Sequence, residues 1–217
     1  MTKRLKKTLK ESVNPQQLEA VNSIEGPVAV FAGAGSGKTR VITYRIAHLI
    51  DEGIPLWNII AVTFTNKAAN EMKARIGDLL DTDPKELWIG TFHSICLRIL
   101  RRSGKEIGIR QDFAVFDNED SLSLIKDCMK ESNIDIKRVN PRSVSKAISD
   151  SKVALVSSEE YSKIAGNGYF IDIVTNVYSL YEKRMRENNA LDFDDLIYKT
   201  VLLFQQKPEI LDTYQEL

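Results

Sequence analysis

Residues 33–39 run Gly33-Ala34-Gly35-Ser36-Gly37-Lys38-Thr39. The spacing is that of a phosphate-binding loop, which asks for Gly, four residues, then Gly-Lys-Ser/Thr; Ala32 stands where the first glycine belongs. A glycine-rich bend lets successive backbone N–H groups converge on one anion. A helix that begins there adds the positive end of its dipole. Lys38 would neutralise charge on the β- and γ-phosphates of ATP, and the Thr39 hydroxyl would join the shell of its Mg2+. The bland alternative is a flexible Gly/Ser loop with an incidental lysine.

Flanking elements decide between the two. "PVAVFA" at 27–32 predicts a short buried strand, and 38–52 has helical spacing. "NIIAVTF" at 58–64 predicts a second strand and 66–80 a helix. "ELWIG" at 86–90 predicts a third strand and 91–102 a third helix. Alternating strands and helices specify a parallel α/β sheet with covered faces. Past about residue 105 the pattern turns helical, with no convincing strand over 117–190. Its clearest helix spans 170–185, where Phe170, Ile173, Val174, Val177, Tyr178, Tyr181 and Met185 form one apolar stripe. An α/β domain interrupted by an all-helical insertion is expected.

A nucleotide hydrolase also needs a carboxylate for its magnesium. "FAVFD" offers Asp117, but "DNED" also fits a helix start with Asp117 as its cap. "LDFDD" offers Asp192 and its neighbours, with Asp192 equally suited to capping the helix that follows. Neither looks like the missing half of the site.

Composition excludes other classes. The 217 residues carry 30 basic and 30 acidic side chains, so the whole surface is no magnet for polyanions. The opening "MTKRLKKTLK" is locally basic, either a solvated tail or an arm on nucleic acid. No apolar run reaches membrane-spanning length, and no signal peptide follows the basic start. Cys96 and Cys128 lack CxxC spacing and fit reduced core residues of a cytoplasmic protein. His48 and His93 cannot build a His/Cys metal cluster.

Further stretches combine with the loop. They are "VNPQQLEAV" at 13–21, "AVTFTNKAANEM" at 61–72, "GTFHSICLRILRR" at 90–102 and "LDFDDL" at 191–196. In this order and spacing they resemble the N-terminal motifs of the UvrD/PcrA/Rep family of superfamily 1 DNA helicases. The resemblance implies a RecA-like P-loop domain. It assigns Gln17 to adenine, where a side-chain amide supplies donor and acceptor; a capping box with Asn14 is its local alternative. Arg40 is implied near the nucleotide, with a surface helix residue as the alternative.

Thr63, Phe64, Thr65, Asn66 and Lys67 fall at one strand's carboxyl end, and Thr91, Phe92 and His93 at the next. Ligands bind along that edge of open α/β sheets. Hydroxyls, amide and lysine suit DNA phosphates, and the aromatic rings suit unpaired bases. Helix capping by Thr65 or Asn66, a core Phe92 and a satisfied buried His93 are the structural alternatives. The family implies ATP-driven 3′–5′ movement on single-stranded DNA, and an accessory helical domain contacting duplex at a single-strand/double-strand junction. Other repair or replication proteins are implied partners.

The expected domains are a basic tail at 1–12, a motor domain at 13–104 plus 191–217, and a helical insertion at 105–190. The family's Asp-Glu magnesium motif and second motor domain are absent from these residues. An N-terminal fragment or truncated gene is therefore expected, one that binds nucleotide weakly and turns none over. Two other classes stay open: a non-catalytic nucleotide- or DNA-binding module, and a small P-loop phosphotransferase. The latter needs an arginine lid, for which Arg101-Arg102 and Lys137-Arg138 are poor candidates.

Overall fold

Pro15 opens helix α1 (Pro15–Asn22) in the computed structural model, which describes residues 11–80 and 87–216. Most of the basic tail, and Glu86 of the third strand signal, lie outside the described residues. The chain forms two compact units. One holds the chain up to Ile95 and resumes at Thr213; the other holds Cys96–Asp212.

In the first unit, α2 (Lys38–Asp51) follows the glycine loop, then come β1 (Ile60–Thr63), α3 (Asn66–Leu80) and β2 (Trp88–Thr91). The strands pair in parallel, with Ile60 opposite Trp88 and Thr63 opposite Thr91. A parallel pair needs a crossover, and α3 supplies it. Its Ala69, Met72 and Ile76 recur at helical spacing and pack with Ile46, Ile59, Ala61, Leu87 and Ile89. Ile76 is fully buried, so truncating it to alanine costs about 2–5 kcal/mol. The Trp88 ring stacks at a tilt on Tyr214, 5.8 Å between centroids.

One strand expectation fails. Residues 27–32 form no strand; Val28 is 44% exposed, Val30 52% and Phe31 97%. An apolar run signals a demand for burial, but a strand also needs a ladder partner. No described strand pairs with this segment.

Helix α4 (Phe92–Ser103) begins at the end of β2. The second unit then has β3 (Ala114–Val115), α5 (Asn118–Glu131), α6 (Pro141–Val153), α7 (Ser158–Ala165) and α8 (Tyr169–Glu187). It closes with β4 (Ala190–Leu191), α9 (Phe193–Gln206) and most of α10 (Pro208–Gln215). Helix α8 is its axis. Ile173, Val174, Val177, Tyr178, Tyr181 and Met185 bury one stripe against Ile125, Met129, Val144 and Ile148. Phe170, expected in that stripe, lies in the first turn and is 40% exposed.

Strands β3 and β4 pair in parallel, Ala114 with Ala190 and Val115 with Leu191. Two residues are too few to show a period, so the sequence gives them no signal. The unit boundaries differ from the expected domains: residues 191–212 belong with the helical unit rather than with the phosphate loop. Among the described residues no helix is long and apolar enough to cross a membrane.

Candidate phosphate-loop and strand-edge site

The loop is shaped by two left-handed glycines, Gly35 at φ +74° and Gly37 at φ +86°. A side chain at either would be strained. A Cβ at Gly33 or Gly35 would meet nothing within 4 Å, so open space lies over the loop. Gly37 is the N-cap of α2 and makes no side-chain cap. The first amides of that helix are therefore not taken by a capping side chain. Lys38 Nζ donates to the carbonyls of Ala32 at 3.1 Å and Gly33 at 2.7 Å. The Ser36 hydroxyl donates to Gly33 O at 2.7 Å. Thr39 is exposed at the helix start, and its carbonyl accepts from the Thr43 hydroxyl. Open amides, a nearby ammonium and an exposed hydroxyl fit a triphosphate with its magnesium.

Gln17 does what the local reading asks and more. Asn14 Oδ1 accepts from Gln17 N at 2.8 Å, and Gln17 Oε1 accepts from Asn14 N at 3.0 Å, a complete capping box. Gln17 Nε2 also donates to the Ser36 carbonyl at 2.8 Å, which brings the amide to the loop. Arg40 Nη1 donates to Ser12 O at 3.1 Å. Arg40 also lines a cavity of about 520 Å³ with Thr43, Tyr44, Arg75 and Asp78.

The second group assembles at the carboxyl ends of β1 and β2. Register places Thr63 beside Thr91. Phe64 is 92% exposed and Phe92 52%, their rings 6.2 Å apart and tilted. Aromatic rings at this edge, left in solvent, are available for stacking; the core alternative for Phe92 is excluded. The hydroxyls are more local. Thr65 Oγ1 accepts from Ala68 N at 3.2 Å, so it caps α3. Thr63 donates to Thr65 O at 3.0 Å. Thr91 Oγ1 accepts from Ser94 N at 3.3 Å at the start of α4. Asn66 and Lys67 are exposed in the first turn of α3, and His93 is half-buried.

Gly90 lies at the same strand edge, in β2 just before Thr91. A Cβ there would lie 2.1 Å from Ser94 Oγ, which donates to Thr91 O. Glycine leaves room for the Ser94 hydroxyl to keep its bond to Thr91 O at the start of α4; the Gly before Thr-Phe was the available signal.

The magnesium candidates are committed elsewhere. Asp117 Oδ1 accepts from Glu119 N and Asp120 N, capping α5. Asp192 caps α9 through Asp195 N at 2.8 Å. Its other oxygen lies 2.7 Å from Lys152 Nζ and accepts from Tyr181 OH at 2.9 Å. Lys152 also lies 2.9 Å from Asp195 and 3.1 Å from Glu182. Burial disfavours the Lys152 ammonium, but Asp195, Asp192 and Glu182 together outweigh it and hold its pKa well above the usual lysine value. Burial raises Asp195 to about 6, with Lys152 opposing. Burial also works against the Glu182 carboxylate, but Lys152 and Lys199 prevail and lower its pKa. Nothing in the sequence marked Lys152 as the partner of "LDFDD". Among the described residues no His/Cys/Asp/Glu group is arranged to hold a metal.

The family model described as UvrD/REP helicase N-terminal domain matches residues 13–217. The ATP-dependent DNA helicase PcrA of Bacillus subtilis (strain 168) is 50% identical over 208 residues, which is 95% of this chain and 28% of the relative. PcrA of Staphylococcus epidermidis (strain ATCC 12228 / FDA PCI 1200) is 49% identical over the same shares. PcrA of Staphylococcus aureus (strain NCTC 8325 / PS 47) is 48% identical over 204 residues, or 94% of this chain. The chain spans 28% of the length of these relatives. With the model matched from Val13 to Leu217, the chain belongs to the UvrD/REP helicase N-terminal domain family.

Proposed function

We propose that this chain is the ATP-binding and single-stranded-DNA-binding part of an ATP-dependent 3′–5′ DNA helicase acting in cytoplasmic DNA metabolism, repair included. The observation that carries this reading is the pair of exposed rings, Phe64 and Phe92, 6.2 Å apart at the carboxyl ends of two parallel strands. They belong to the same unit as the Gly33–Gly37 loop. Stacking faces tolerate any base, as a translocating motor requires. In this reading Lys38 and the loop amides hold the phosphates, Thr39 contributes to the Mg2+ shell, and Gln17 and Arg40 contact the nucleotide. The bound magnesium supplies charge neutralisation on the phosphates. Asn66 and Lys67 contact the DNA backbone beside the rings, with Thr63, Thr65, Thr91 and His93 shaping that edge. The helical unit contacts duplex at a junction, and proteins of repair or replication are its further partners.

The chain alone binds without turnover. Support comes from the carboxylates: Asp117 is spent on a cap, and Asp192 and Asp195 on Lys152. The purified 217 residues should bind an ATP analogue and oligo-dT, and release no phosphate above background when single-stranded DNA is added. DNA-stimulated hydrolysis would overturn the statement on turnover. Failure to bind either ligand would overturn the larger reading. Binding that weakens steeply with salt, with no nucleotide binding, would favour a DNA-binding module instead.

A further inference from the structure

Gln17 is tied to the phosphate loop as well as to its own helix. An amide side chain has one acceptor oxygen and two donor hydrogens. Here the oxygen takes the Asn14 N–H and the nitrogen gives a hydrogen to the Ser36 carbonyl, at 3.0 and 2.8 Å. The capping box holds Gln17 at the start of α1, so the donor reaches the loop from a fixed support.

The Ser36 carbonyl is a consequential point to grip. It shares a planar trans peptide with the Gly37 N–H, and the two point in opposite directions. Fixing the carbonyl therefore fixes where the Gly37 N–H aims. That amide lies between the left-handed Gly35 and the start of α2. Glycine at 37 lacks the Cβ that would otherwise restrict rotation of this plane. A Cβ there would also come within 3.0 Å of Gln17 Nε2, so the amide packs directly on the bend.

We propose that Gln17 is a positioning residue for the phosphate loop, orienting the Ser36–Gly37 peptide through the Ser36 carbonyl. The proposal builds on the reading of residues 33–39 as a triphosphate site. It differs from base recognition in one consequence: Gln17 contributes to affinity for a polyphosphate that carries no base.

The test uses the 217-residue chain with Mg2+-tripolyphosphate, ATP and GTP as titrants. Gln17→Met keeps the length and removes the amide. Asn14→Ala removes the side-chain cap but keeps the backbone N–H that holds Gln17 Oε1. Gln17→Met should weaken tripolyphosphate about threefold to tenfold, the net worth of one hydrogen bond, while Asn14→Ala leaves it within twofold. Unchanged tripolyphosphate affinity in Gln17→Met overturns the proposal; equal losses in both variants assign the effect to helix capping and overturn it as well. The ATP-over-GTP preference separately tests base reading by Gln17. A chain that binds no tripolyphosphate refutes the phosphate-site reading, and amide exchange over 32–39 then decides. Faster exchange in Gln17→Met than in Asn14→Ala upholds the loop contact, and equal exchange ends it.

Discussion

Two lysines mark the contrast between the two units. Lys38 is exposed, and its ammonium donates to neutral carbonyls, those of Ala32 and Gly33. Lys152 is fully buried and meets three carboxylates within 3.1 Å. A lysine held by neutral, exposed acceptors keeps a charge that an arriving anion can take. One enclosed by acids has nothing left to offer a ligand, and what it does is structural. The same contrast holds for aromatic side chains. Phe64 and Phe92 stand in solvent, whereas Tyr178 and Tyr181 are fully buried. Burial and partner identity, rather than residue type, separate the exposed lysine and rings of the first unit from the enclosed lysine and tyrosines of the second.

The largest expected effect breaks the buried side of this contrast. Lys152→Met leaves Asp192, Asp195 and Glu182 without their shared cation. Loss of one partner from a buried ionic cluster costs about 3–5 kcal/mol. Chemical denaturation should show the midpoint of the helical unit falling accordingly, and a loss under 1 kcal/mol would contradict the structural role. On the other side, Lys38→Ala should leave the melting temperature within a degree or two, because its two bonds are exposed. It should weaken an ATP analogue about tenfold to a hundredfold, the range for a charge-assisted bond. If Lys38→Ala unfolds the chain instead, the two lysines do not differ as described.

A smaller effect belongs to the rings. Phe64→Ala and Phe92→Ala should each weaken oligo-dT by about 1–3 kcal/mol, with stability nearly unchanged because both side chains are already in solvent. The double variant should lose less than the sum, since the rings are 6.2 Å apart and can share a base.

How much of this was legible depends on whether the signal was local. Asn14, Pro15 and Gln17 form a capping box readable from spacing alone, as do Asp117 with Asp120 and Asp192 with Asp195. The β1–α3–β2 crossover follows from runs long enough to show a period. Residues 27–32 misled because apolarity was mistaken for pairing, and pairing is set by another segment. The β3–β4 ladder escaped notice for the opposite reason, being shorter than one alternation. The ring pair was half-legible: each phenylalanine was marked at a strand end, but only parallel pairing of β1 with β2 brings them side by side. Lys152 could not be found, because its acids lie 30, 40 and 43 residues further along the chain.

The smallest effect sharpens the buried cluster from within. Burial holds Asp195 at about 6, above the ordinary 3.8, while Lys152 pulls the other way and Asp192 and Glu182 add to the rise. Its folded form therefore binds a proton that the unfolded chain still lacks between about pH 6 and 4. Stability from this group increases as pH falls through that window, the reverse of an acid whose folded pKa is depressed. Glu182 is such an acid, lowered below 4.5 against its burial chiefly by Lys152 and then Lys199, so its stability is present above about pH 4.5 and is lost as pH falls from there. Between pH 7 and 5 the Asp195 contribution amounts to about 1 kcal/mol. The urea midpoint of the unaltered chain should accordingly rise relative to Asp195→Asn as pH drops across that range. Parallel curves for the two proteins would mean that the Lys152 cluster keeps Asp195 ionised throughout, and the enclosed lysine would then be balanced by three full charges rather than by a set that one proton can adjust.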